Sequence, residues 1–187
     1  MDWGTRVIAE VPPTKSNREN SEDAMTSISR YLATPRPAGL SAGDHATLRR
    51  MFLKNTPVSE GVTIKTLLLA GVRQGDYERN YPAWRLVVYV AALLSGTARL
   101  RAHDARRGLG WALHDAGLSE NRLMRLTAAR GLALHDQLAL AGRLLADAGA
   151  GPVNLWTLLD LAGKHLETAE AARIRIAQDY YAAAARA

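Results

Sequence analysis

Three features of the sequence predict an all-α fold. Alanine and leucine dominate and β-branched residues are sparse, a balance that favours helix over strand. Apolar residues recur at helical spacing in one segment after another, and no segment reads as a strand. Capping residues and Gly/Pro breakers punctuate those segments. The predicted architecture is a two-lobed helical bundle of about eight to nine helices with a basic surface. Residues 1–18 form an N-terminal arm with Pro12 and Pro13, residues 19–100 a helical lobe, and residues 101–187 a C-terminal helical bundle.

A first helix is expected over Glu19 to Leu32, stopping before the proline-containing loop ATPRPAGL. Ser41 and Asp44 form a capping-box-like pair at the start of the second helix. Its Leu48, Met51 and Phe52 fall on one side, and Arg49, Arg50 and Lys54 on the other. Pro57 and Ser59 begin a third helix, about Glu60 to Val72, followed by a polar connection from Arg73 to Asn80. The block LVVYVAALL at 86–94 is apolar all round and marks a buried helix. Gly96 to Arg107 is a linker carrying Arg99, Arg101, Arg106 and Arg107.

The segment GLGWALHDAGLSENRLMRLTAARG, residues 108–131, reads as two short helices and a turn. Gly117 suits the left-handed position at the first helix's end. Ser119 caps the second, with Glu120 in its first turn, where a carboxylate complements the helix dipole. Leu123, Leu126 and Thr127 share the side expected to face a core. Arg122 and Arg125, three apart, share a face toward solvent, and two arginines on a rigid helix can grip phosphates. A long amphipathic helix with Arg143 follows and breaks at Gly149, Gly151 and Pro152. Asn154 caps the helix LWTLLDLAGKH. Thr168 opens the last helix, whose apolar stripe is expected to be Ile174, Ala177 and Tyr181, with Arg173 and Arg175 elsewhere. Trp111, Leu123 and Trp156 are expected in the core.

Composition limits the chemistry. There are no cysteines, so disulfides, thiolate zinc sites and cysteine nucleophiles are excluded. No signal-like or spanning apolar run is visible, which predicts a cytoplasmic protein with no membrane association. The formal net charge is +6, and the 24 basic residues include only four lysines, Lys15, Lys54, Lys65 and Lys164. Charge is spread over the chain, with 13 basic and 9 acidic residues in 1–100 and 11 and 9 in 101–187. A moderate positive field over a folded body suits binding to nucleic acid at a broad surface.

No phosphate loop, G-x-G-x-x-G, H-E-x-x-H or G-x-S-x-G motif is present. His-Asp occurs three times, at His103-Asp104, His114-Asp115 and His135-Asp136. Imidazole with carboxylate is a reasonable ligand set for a divalent metal, and helical HD-type phosphohydrolases use that dipeptide. Adjacent helical residues diverge by about 100°, however, so the dipeptide alone builds no site. An HD-type phosphohydrolase is the alternative reading; the leading one needs no cofactor and no metal.

From Leu48 onward a series of short motifs occurs in order: LRR at 48–50, LVVYVAALL at 86–94, GLGWAL at 108–113, ENRLMRL at 120–126, LAGRLL at 140–145, VNLWTLLDLAGKH at 153–165 and a final helix ending DYY at 179–181. The series resembles the small subunit of the type I-E CRISPR surveillance complex Cascade, the CasB family. Where that family often has a tryptophan ahead of the acidic-aromatic end, this chain has Ile176. The resemblance implies a non-enzymatic, antiviral role. Its partners would be the backbone and large subunits of Cascade, a second copy of the chain, CRISPR RNA, and the target and displaced DNA strands. It implies that the subunit braces the guide RNA–target DNA hybrid and holds the displaced strand. By motif it implicates Arg49, Arg50, Arg122, Arg125, Arg143 and Lys164 in nucleic-acid contact. Placement on basic helix faces and loops adds Lys54, Arg101, Arg107 and Arg130.

Overall fold

The structure is a computed structural model that describes residues 15–34, 39–52, 56–96 and 98–186, with side chains from Ala24 onward. Among the described residues there are ten helices and no strand: α1 (Lys15–Ala33), α2 (Ala42–Arg50), α3 (Pro57–Leu69), α4 (Gln74–Arg79), α5 (Tyr81–Ser95), α6 (Leu109–Asp115), α7 (Glu120–Ala128), α8 (Gly131–Asp147), α9 (Leu155–Ala162) and α10 (Leu166–Ala184). Of the arm expected over residues 1–18, residues 1–14 lie outside the described residues, and α1 begins at Lys15 rather than at Glu19. No helix among them is long and apolar enough to cross a membrane.

The chain folds around α5. Every residue from Leu86 to Ala92 is 0% exposed, as an all-apolar helix requires, and each large side chain so buried contributes about 1.5–3 kcal/mol. α5 packs against α1, α2 and α3 on one side of the sequence and against α8 and α9 on the other. One continuous apolar cluster therefore runs from Ala24 to Tyr180.

The helix starts follow local chemistry. Ser41 Oγ accepts from the Asp44 amide, and Asp44 accepts from the Ser41 amide, both at 3.0 Å. Asp44 also receives Lys65 at 2.8 Å. Thr56 and Ser59 make the same reciprocal cap on α3, one residue earlier than Pro57 and Ser59 alone indicate. Asn154 caps α9 by accepting from the Trp156 amide at 3.0 Å. Ser119 stands at the N-cap of α7 but its side chain makes no capping bond. The polar connection expected at 73–80 contains α4, because Tyr77 is buried and holds that turn against the core.

The close pairing of α6 with α10 explains the GLGWAL motif. A Cβ on Gly110 would run into the Ile176 carbonyl oxygen and lie 2.8 Å from the Tyr180 amide nitrogen. Only a hydrogen at position 110 lets the two backbones meet this closely. At the turn after α6, Gly117 takes φ +78°, as expected from its place at the helix end.

Two expectations for α10 are corrected. The helix begins at Leu166, with His165 in the capping position rather than Thr168. Its buried face is Ala169, Ala172, Arg173, Ile176, Tyr180 and Ala183, whereas Ile174 is 58% and Tyr181 46% exposed. The inward stripe is thus displaced by one residue, and it includes an arginine.

Candidate nucleic-acid interface

Eight of the ten cations singled out in the sequence fall into two groups according to what their side chains touch. Arg50, Arg101, Arg122, Arg125 and Lys164 are exposed and have no hydrogen-bond or ion-pair partner among the described residues. Arg49 is half-buried beside Arg50 in the last turn of α2 and stands close enough to His45 to disfavour its protonation. Lys54 lies outside the described residues. Arg107, Arg130 and Arg143 are engaged within the fold.

Arg122 and Arg125 make the best-defined pair. α7 buries Leu123 and Leu126, each 2% exposed, and leaves Thr127 half-buried. That orientation sends both arginines to solvent on adjoining positions of a neighbouring face. The neighbouring carboxylate, Glu120, accepts from the Tyr181 hydroxyl at 2.8 Å and forms no ion pair with either arginine among the described residues. α7 is also pinned at both ends. Tyr180 donates to the Leu118 carbonyl at 2.5 Å. Arg130 Nη1 donates to the carbonyls of Thr127, Ala128 and Ala129 at 2.9, 2.9 and 3.0 Å, and its Nη2 pairs with Glu170 at 2.9 Å.

Arg130 is therefore a fastener of α7. Arg143 Nε donates to the Tyr89 hydroxyl at 2.8 Å. That buried phenol packs on Phe52, with ring centroids 4.5 Å apart, so Arg143 ties α8 to α5 and to the end of α2. Arg107 donates to the Ala150 carbonyl and reaches Asp115 at 3.4 Å. The linker that carries it is equally anchored. The Ala102 amide donates to Ser29 Oγ at 2.9 Å, and a parallel bridge joins His103 to Val153. Arg101 is thus presented from a fixed segment.

Four arginines outside the sequence-derived set have internal roles. Arg99 donates to the Thr34 and Leu40 carbonyls, both at 3.2 Å. Arg85 pairs with Glu60 at 3.2 Å and lies over the Phe52 ring at 5.2 Å. Arg186 covers Trp111 at 4.5 Å, which leaves that half-buried tryptophan at the rim of the core. Arg173 is buried; its burial and the nearby Arg130 push its pKa down, against the pull of Glu170.

The three His-Asp pairs have separate local roles. His103 Nδ1 accepts from the Leu155 amide at the start of α9. His114 packs edge-on against Tyr180. His135 is half-buried, and burial lowers its pKa despite a hydrogen bond with the Ala162 backbone. No group of three or more His, Cys, Asp or Glu side chains is arranged to hold a metal among the described residues.

Fold and surface together define an all-helical protein that presents cations unpaired among the described residues, on α2 and α7 and on the segments before α6 and α10. The family model described as CRISPR-associated protein Cse2 matches residues 44–181, and the chain belongs to that family. Membership makes it a subunit of the CRISPR Cascade assembly. The crystal structure of CasB from Thermobifida fusca shares the fold, with 18% sequence identity, a TM-score of 0.59, and coverage of 88% of this chain and 96% of that one. No curated protein sequence gives a significant match.

Proposed function

We propose that this Cascade subunit is non-catalytic and works within a type I-E complex. It braces the guide RNA–target DNA hybrid and steadies the displaced DNA strand through a sequence-independent basic surface. Base pairing with the guide supplies sequence information, so the protein needs only to match shape and backbone charge. The observation that carries this reading is the Arg122–Arg125 pair. Both side chains are exposed and unpaired among the described residues, on a helix fastened at each end. Arg50, Arg101 and Lys164 extend the same chemistry to other elements. The partners in this reading are the backbone and large subunits, a second copy of the chain, guide RNA and both DNA strands.

Co-purification of a tagged chain with the products of neighbouring genes, followed by nuclease treatment and mass analysis, tests the reading. The expected result is a large ribonucleoprotein with a short guide RNA, whose DNA engagement weakens when Arg122 and Arg125 are reversed in charge. Recovery as a lone protein free of RNA would overturn it.

A further inference from the structure

We propose that Arg173, buried on α10, is a positioning residue for Arg122 and Arg125 on α7; the inference rests on the nucleic-acid reading above. The Arg173 side chain is 7% exposed. Its Nε donates to the Thr127 carbonyl at 3.0 Å and its Nη2 to the Ala129 carbonyl at 3.2 Å. Its Nη1 binds Glu170 at 3.0 Å, the carboxylate that also receives Arg130. The last carbonyls of a helix have no partner within it and carry its negative dipole end. The buried guanidinium reaches one of them, on Thr127, together with the carbonyl of the C-cap residue Ala129, and complements that charge.

The same helix grips the other end of α7. Tyr180 holds the Leu118 carbonyl at 2.5 Å, and Tyr181 holds Glu120 at 2.8 Å. Arg122 and Arg125 lie between these two sets of anchors. α7 has nine residues, too few to be a stable helix alone in water, so its pose comes from what grips it. Arg173 needs its planar fork for this work, because a lysine ammonium on a flexible stem cannot span two carbonyls and a carboxylate in the same geometry. The DYY ending and the inward arginine of α10 thus serve the presentation of the α7 cations, as well as the core.

The test is a double-mutant cycle in the assembled complex, with DNA affinity measured over a salt series. Arg173→Lys is combined with Arg122→Ala/Arg125→Ala. Arg173→Lys should weaken DNA engagement about fivefold on its own and add little in the doubly substituted background, the signature of coupled residues. It leaves net charge unchanged, so a shallower salt slope would report lost phosphate contacts rather than lost charge. Should Arg173→Lys fail to assemble, Tyr180→Phe, which removes one hydroxyl, takes its place in the cycle with an expected loss of about twofold. Losses that multiply fully with Arg122→Ala/Arg125→Ala, or wild-type affinity and slope in the positioning variant, overturn the proposal. Wild-type binding by Arg122→Ala/Arg125→Ala overturns the nucleic-acid reading of α7 itself, and the positioning role with it.

Discussion

Substituting Arg122 and Arg125 by alanine should change the salt dependence of DNA binding without changing the stability of the subunit. Each phosphate neutralised contributes about 0.9 to the log–log slope on duplex DNA and about 0.7 on a single strand. Two lost contacts therefore flatten the slope by ~1.8 or ~1.4. Over a fourfold rise in salt, from about 50 to 200 mM, the wild-type complex would lose roughly 12-fold or 7-fold more affinity than the variant. Both side chains are exposed and unpartnered among the described residues, so stability should stay within about 0.5 kcal/mol. Arg130→Ala is the matched control. Its guanidinium is committed to three carbonyls at the end of α7 and to Glu170. Its loss should cost about 0.5–1 kcal/mol, allowing for a half-exposed ion pair; any flattening of the slope comes through a loosened α7, so in the Arg122→Ala/Arg125→Ala background it should change the slope no further. Fluorescence anisotropy of labelled target DNA with the assembled complex measures the slopes, and thermal melting of the subunit measures stability. Equal slopes for wild type and Arg122→Ala/Arg125→Ala, or a further loss of ~0.9 when Arg130→Ala is added to Arg122→Ala/Arg125→Ala, would refute the division into free and committed cations.

Four further outcomes concern the fold. Gly110→Ala forces a methyl group against the Ile176 carbonyl and Tyr180 amide and should cost about 1–3 kcal/mol or more in urea unfolding. Gly117→Ala, where φ is +78° and nothing lies within 4 Å, should cost only about 1–2 kcal/mol. Arg143→Leu removes the partner of the fully buried Tyr89 hydroxyl and should destabilise by about 1–3 kcal/mol, with Tyr89→Phe in the same background recovering part of the loss. Burial lowers the imidazole pKa of His45 and of His135 below 6.5, against the opposing pull of backbone hydrogen bonds to Leu32 and Ala162. As pH falls below 6.5 the unfolded chain takes up protons before the folded one does. Their contribution is full above that pH and is lost as pH falls toward the lowered folded values, so the melting midpoint should drop between about pH 7.5 and 5.5. His135→Gln should flatten the drop; a midpoint that holds or rises on acidification would contradict the sign.

Much of the fold was legible because some signals are local. Nine successive apolar residues could only be a buried helix, and Leu86 to Leu94 forms most of α5. Ser41 with Asp44, Asn154 and Gly117 announced helix ends that the structure contains. Arg122 and Arg125 were read as exposed because Leu123 and Leu126 fixed the helix's inward side. α10 was harder. Its sequence offers two stripes at helical spacing, and ordinary amphipathic logic prefers Ile174, Ala177 and Tyr181 because the other contains an arginine. That logic fails where a buried guanidinium meets enough acceptors to replace water, and for Arg173 the acceptors belong to α7 and Glu170.

The same physics governs most of the arginine assignments that the sequence left open. Arg99 bonds the carbonyl of Thr34 just after α1, Arg85 that of Met51 at the end of α2, Arg173 that of Thr127 in the last turn of α7, and Arg107 that of Ala150 after α8. Each cation bonds a carbonyl in the last turn of a helix or within three residues of its end, on the side where the dipole is negative. These contacts span 65, 34, 46 and 43 residues of sequence, so no local pattern reveals them. On the proposed function, the arginines of this chain therefore answer two demands at once, fastening helix ends and meeting a polyanion. In the proposed reading, the surface charge available to nucleic acid is what remains after the helix ends have been satisfied. Here that remainder includes Arg50, Arg101, Lys164 and, on the helix whose two ends are both fastened, Arg122 and Arg125.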